Sequence, residues 1–124
     1  MHPRAQQHCD AADILEESHR RLTSLGEHDW SVDALYKAAV HLIDGYCLLR
    51  TGKEPTTDHE RRGFLLLDGT SAHAWRDWET LWTFHNDFTE AGFVGYLGQR
   101  ASDVYQKHFL PLKAHVRAAI DAFP

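Results

Sequence analysis

The sequence predicts an all-α fold: an up-and-down antiparallel bundle of four long helices, with one short helix between the second and third long ones. Three observations predict it. Apolar residues recur at i, i+3, i+4 and i+7 from about Asp10 to Ile120. No segment alternates polar and apolar over five residues in a β-branched context. Glycines, prolines and capping residues cut the helical pattern into stretches joined by short connections, so neighbouring helices are expected to be antiparallel.

The first helix is expected from Asp10, after a flexible polar tail over residues 1–9, with residues 10–124 forming a single domain. Ala11, Ile14, Leu15, Ser18, Leu22 and Leu25 lie on one face. Asp10, Asp13, Glu16 and Glu17 precede Arg20 and Arg21, which suits the helix dipole, and Gly26 supplies a stop. Asp29 is a plausible cap for the second helix. Leu35, Tyr36, Ala39, Leu42, Ile43, Tyr46 and Leu49 form its stripe. Ala38, Val40, Cys47 and Leu48 extend the apolar surface to other sides, which marks this helix as central. Gly45 inside it costs about 1 kcal/mol relative to Ala, which points to a close helix–helix approach. Gly52 ends it.

Lys53 to Thr57 form a loop containing Pro55. Thr57 and Glu60 then make a capping box for a short helix to Leu67, closed by Gly69. Thr70 or Ser71 caps the next helix, whose face carries Trp75, Trp78, Leu81, Trp82, His85 and Phe88. Gly92, Gly95 and Gly98 read as a loop or a bent helix end. Ser102 opens the last helix, with Val104, His108, Leu112, His115, Val116, Ala119 and Ile120 at helical spacing, and Pro111 should kink it.

Composition narrows the function. The chain has 124 residues, the size of one domain, and a net charge of −5 with histidines neutral, which excludes a strongly basic nucleic-acid binder. Ten histidines stand against thirteen Lys and Arg. They bring metal sites and acid–base chemistry into consideration. Cys9 and Cys47 are too few for a disulfide framework and are expected as reduced thiols, a single bridge being the alternative. No apolar run is long enough for a membrane span, and Met1–Asp10 lacks the apolar centre of a signal peptide. A cytoplasmic protein is expected.

His59, Arg61 and Arg62 fall in the first turn of the short helix. Free N–H groups and the positive dipole end would add to their cations there, which suits a phosphate or nucleotide. The competing reading has them bonding nearby carbonyls or carboxylates and fixing the loop. Tyr36, His41 and Asp44 on the central helix are secondary candidates. Tyr36 and His41 differ by about 140° around the axis, so they do not share a narrow face. His41 and Asp44 are spaced to pair. Glu16 and His19 give one Glu-x-x-His, but a di-iron bundle site needs two. His41, His85 and His115 form the set that a three-histidine bundle metal site would use. No metal or other cofactor is called for by any complete motif. The Trp75, Trp78, Trp82 and Phe88 series is flanked by Asp77, Glu79, Asp87 and Glu90, so it reads as core or dimer interface and not as a base-stacking platform.

The segment Trp30-Ser-Val-Asp-Ala-Leu-Tyr-Lys-Ala-Ala-Val-His-Leu-Ile-Asp-Gly-Tyr46 resembles the second helix of HEPN-domain proteins. Gly52-Lys-Glu-Pro-Thr-Thr-Asp-His-Glu-Arg-Arg62 is similar to their following Gly, Pro and His, and His59 with Arg62 matches the His-x-x-Arg of one prokaryotic branch. The likeness covers residues 30–67. It implies a helical bundle that dimerises, in a family of ribonuclease toxins, of partners of small nucleotidyltransferase proteins in toxin–antitoxin pairs, and of defence components. Catalytic members carry an Arg, four to six residues and a His. Here Arg100 and His108 have seven residues between them. Arg21 and His28 have six, but the interval crosses Gly26. The resemblance therefore implies a non-catalytic module binding nucleotide, RNA or a protein partner. A metal-independent ribonuclease with an atypical Arg/His pair at a dimer interface, and a DinB-like metal-binding bundle, are the alternatives.

Overall fold

The computed structural model describes residues 2–69, 73–91 and 97–124, with the backbone path alone at 88–91 and 97–99. All regular structure among them is helical: α1 (Pro3–Ser24), α2 (His28–Thr51), α3 (Asp58–Asp68), α4 (Ala74–Ala91), α5 (Leu97–Val104) and α6 (Leu110–Ala122). A π-helical turn, Tyr105–Phe109, joins α5 to α6 without a break. No described helix is long and apolar enough to cross a membrane.

α2 is central, as its wide apolar surface requires. Val32, Leu35, Ala38, Ala39, Leu42, Ile43 and Tyr46 are buried, and α1, α3, α4, α5 and α6 all pack on it. Trp78 and Leu81 of α4 and Phe109, Leu112, Val116 and Ile120 of the last helix complete the core.

Within the expected tail over residues 1–9, residues 3–9 are instead the start of α1. Pro3 occupies the first turn, where its missing N–H costs nothing, and the His2 ring caps Arg4 N–H at 3.1 Å. Ala5, Cys9 and Ala12 are buried at helical spacing. Their small side chains let α1 lie close on α2, so a segment that reads as polar still carries core contacts. The close approach is at Gly45, where an added Cβ would sit 3.0 Å from His8 Cβ and 3.3 Å from Ala5 O. Gly45→Val should therefore destabilise the fold by about 1–3 kcal/mol, the usual result of overpacking a close contact. Chemical denaturation measures this. An unchanged midpoint would mean that α1 is free to shift outward.

The glycine stops hold. Gly26, Gly52 and Gly69 all take positive φ, at 75°, 77° and 69°. α2 begins at His28 with Glu27 as its cap residue, two residues ahead of the expected Asp29. Thr57 accepts the Glu60 N–H at 3.1 Å, and the Glu60 carboxylate reaches back to Thr56 N–H at 2.8 Å, a capping box displaced by one residue. The expected caps Thr70 and Ser71, and the glycines Gly92 and Gly95, lie outside the described residues. The last helix begins at Leu97, ahead of Ser102, and Pro111 sits in the first turn of α6 immediately after the π turn. The wider π turn absorbs the proline's missing donor and its ring within one continuous helix.

One expectation about helix direction changes. Tyr36 bonds Asp58 and Tyr46 bonds Asp68, so early α2 meets early α3 and late α2 meets late α3. α3 is therefore not antiparallel to α2. Residues 52–57 make this possible by leading the chain back along α2 before α3 starts.

Candidate functional site

Three polar clusters hold the residues singled out by the sequence. The first joins α2 to α3. Arg61 Nε and Nη2 donate to the two oxygens of Asp44 at 2.8 and 3.2 Å, and Nη1 donates to Asp58 at 2.8 Å. The Tyr36 hydroxyl donates to the other Asp58 oxygen at 2.5 Å. Burial alone would lower the Arg61 pKa, but its two carboxylates more than reverse this and hold it above the ordinary value. Burial, with Asp58 as acceptor, pushes the Tyr36 hydroxyl well above the ordinary tyrosine range. Tyr36 also stacks on His85, with ring centroids 4.0 Å apart, and His85 Nε2 lies 3.2 Å from Asp33. The sequence candidates Tyr36, Asp44 and Arg61 thus meet, but in a closed network. Arg61 is matched by two carboxylates and has no charge left over for a phosphate.

The second cluster lies where α1 crosses α2. His41 does not pair with Asp44, which Arg61 occupies. His41 Nδ1 faces His8 Nδ1 at 2.9 Å. The other His8 nitrogen bonds Glu54, and Arg4 clamps both Glu54 oxygens at 2.7 and 2.9 Å. Arg4 and His8 together hold the Glu54 carboxyl down at about 2. Burial, and then the neighbouring His8, push His41 below the ordinary histidine value. Reading residues 1–9 as a tail hid His8, although its place one position before buried Cys9 is legible as part of a helix face.

The third cluster is on α3, α4 and α5. His59 is exposed and meets the Trp82 ring edge-on at 5.4 Å. The Arg62 and Arg76 guanidiniums lie 5.3 and 5.2 Å from the Trp75 centroid, and Arg100 lies 5.4 Å from that of Phe84. Glu79 is 3.5 Å from Arg62, a pair longer than an ordinary hydrogen bond. A groove of about 420 Å³ is lined by Trp75, Arg76, Glu79, Thr83, Phe84 and Arg100, among others. Arg76 and Arg100 make no ion pair among the described residues. Stacking on an aromatic ring holds a guanidinium in place while leaving its N–H edge open to an anion. Sequence reasoning missed Arg76, and weighed Arg100 only as half of a nuclease pair with His108. Their spacing carries no motif, and the acidic residues of α4 suggested a neutralised face. Asp77, one of them, is in fact taken up by His108, whose Nδ1 lies 2.9 Å away. A larger cleft of about 610 Å³, beside Leu48, Leu49, Ile120 and Phe123, has His2 and Asp121 as its titratable groups.

The remaining candidates are placed elsewhere. Among the described residues no three His, Cys, Asp or Glu side chains are arranged to hold a metal, so His41, His85 and His115 are not brought together. Glu16 accepts from Tyr105 at 2.6 Å and from Lys113, and His19 is buried against Ser31. Cys9 and Cys47 are both free thiols. No family model, curated protein or solved structure matches the chain.

Proposed function

We propose that this chain is a HEPN-like module, its four long helices in an up-and-down bundle, that binds a phosphate-bearing ligand, a nucleotide or a stretch of RNA, without cleaving it. The observation that supports this reading is the groove of α4 and α5. On a protein of net negative charge, Arg76 and Arg100 line it and are held by aromatic faces, and Arg62 shares the Trp75 ring with Arg76, with His59 one turn before Arg62. Of the sequence candidates, His59 and Arg62 belong to this surface and Arg61 does not. Neither Arg/His pair that a nuclease would need is available. His108, the partner of Arg100, is bonded to Asp77, and Arg21 and His28 sit on different helices. The resemblance adds the setting: a homodimer in a toxin–antitoxin or defence system, with a small nucleotidyltransferase-type protein as partner. Exposed Leu25 and Trp30 at the α1–α2 turn offer apolar surface for such contacts.

Fluorescence anisotropy with a labelled single-stranded RNA tests the reading. Binding is expected at about 50 mM salt and should weaken as salt rises, as counterion release requires. A double Arg76→Glu, Arg100→Glu chain should bind at least about tenfold more weakly, because each lost phosphate contact removes a charge-assisted bond. The RNA should remain intact with EDTA present. Absence of binding at low salt overturns the reading. Cleavage that persists in EDTA and depends on Arg100 or His108 replaces it with the ribonuclease alternative.

A further inference from the structure

The place where α1 crosses α2 carries two imidazoles in direct contact. His8 on α1 and His41 on α2 are both half-buried, their Nδ1 atoms 2.9 Å apart and their ring centroids 5.2 Å apart. A contact of this kind holds one proton between two nitrogens. If both rings are protonated, two N–H groups and two positive charges point at each other, and the bond becomes a repulsion.

The surroundings sharpen this. Glu54 bonds the far nitrogen of His8 and favours a proton there. That leaves His8 Nδ1 as acceptor and makes His41 the donor. Glu54 is itself shared with Arg4. A second proton on His41 is opposed first by burial and then by His8; Asp44, one turn along α2 and bound by Arg61, and Glu54 favour it, and the Arg61 charge opposes it, with the balance against it. Arg117 and Asp121 of α6 act in opposite senses at neighbouring Cys9. The two backbones approach closely at this point: a Cβ at residue 45 would lie only 3.0 Å from His8 Cβ, and Gly45 is what allows the contact.

We propose that the His8–His41 pair is an acid-sensitive latch: it holds the first turns of α1 on α2 near neutral pH and releases them when both rings are charged. Release frees Ala5 and Cys9 from α2 and uncovers the apolar surface around Gly45. It leaves the rest of α1, anchored by buried Ala12, Glu16 and His19, in place. The direction follows from the shift at His41. Its folded value lies below the ordinary one, so the docked form is favoured above about pH 6.5 and is lost as pH falls below it.

Cys9 reports release, being fully buried in the segment that moves. In a Cys47→Ala chain, reaction of Cys9 with a dithiodipyridine, which stays reactive in acid, is timed against the same chain in urea at each pH. The accessible fraction of Cys9 should rise at least about tenfold between about pH 7.5 and 5.5, one pKa unit of coupling being tenfold. His8→Gln and His41→Gln should each flatten the rise, with helix content checked by circular dichroism. In a Cys9→Ala chain, Cys47 on α2 should show no comparable rise. Equal rises at Cys9 and Cys47 would mean global unfolding and would overturn the latch. So would an unchanged Cys9, or a rise that survives both glutamine substitutions.

Discussion

An Arg61→Ala chain should lose about 3–5 kcal/mol of stability, the cost of leaving a buried charge without its partner. The Arg61 side chain is 12% exposed and Asp44 10%, so water cannot replace the lost bonds at little cost. Removing the guanidinium strands Asp44 and leaves Asp58 with the Tyr36 hydroxyl alone from this network. The loss is expected as a lower urea midpoint with the slope unchanged. A chain in which Asp44 and Asp58 become Asn and Arg61 becomes Met should recover much of it, because charges removed together leave none stranded. A single Arg61→Ala loss under about 1 kcal/mol would show that the network is solvated and carries little.

Trp78→Ala should be comparably damaging, at about 3–5 kcal/mol, because it empties the largest fully buried side-chain volume against α2. Trp78 packs beside Tyr36, with ring centroids 5.6 Å apart, so the cavity would open next to the Asp58–Arg61 network. Trp78→Phe should cost less than half as much. The Trp78 indole N–H is buried with no hydrogen-bond partner among the described residues, and phenylalanine removes that donor while keeping most of the packing. Thermal or urea unfolding of the two variants separates them. Equal losses would mean that the indole N–H is satisfied in solution.

Two of the strongest sequence signals proved to be structural. The Thr57–Glu60 box and the glycines at 26, 52 and 69 act locally, through backbone dihedrals and bonds within one turn, so spacing alone reveals them. The central role of α2 was equally legible, since a helix apolar on several sides must be covered on several sides. The start of α1 was not. Ala5 and Cys9 are core residues because Gly45 and small side chains allow two backbones to approach, and hydropathy does not register small residues as a stripe.

The candidate site divides along the same line. His59, Arg61 and Arg62 are neighbours in sequence, and the helix dipole treats them alike. The tertiary structure sends Arg61 to Asp44 and Asp58, and sends His59 and Arg62 toward the tryptophans of α4. Arg76 and Arg100 join Arg62 from other helices, a convergence that no one-dimensional spacing encodes.

By itself, the sequence determined an all-helical chain, most of its helix ends, its central helix and the residues able to carry charge. Those properties depend on local dihedral preference and on the period of apolar residues. Which cations are neutralised, which remain open on aromatic faces, and that His8 meets His41 were decided by the tertiary structure. Electrostatic pairing depends on distances of a few ångströms between residues far apart in the chain.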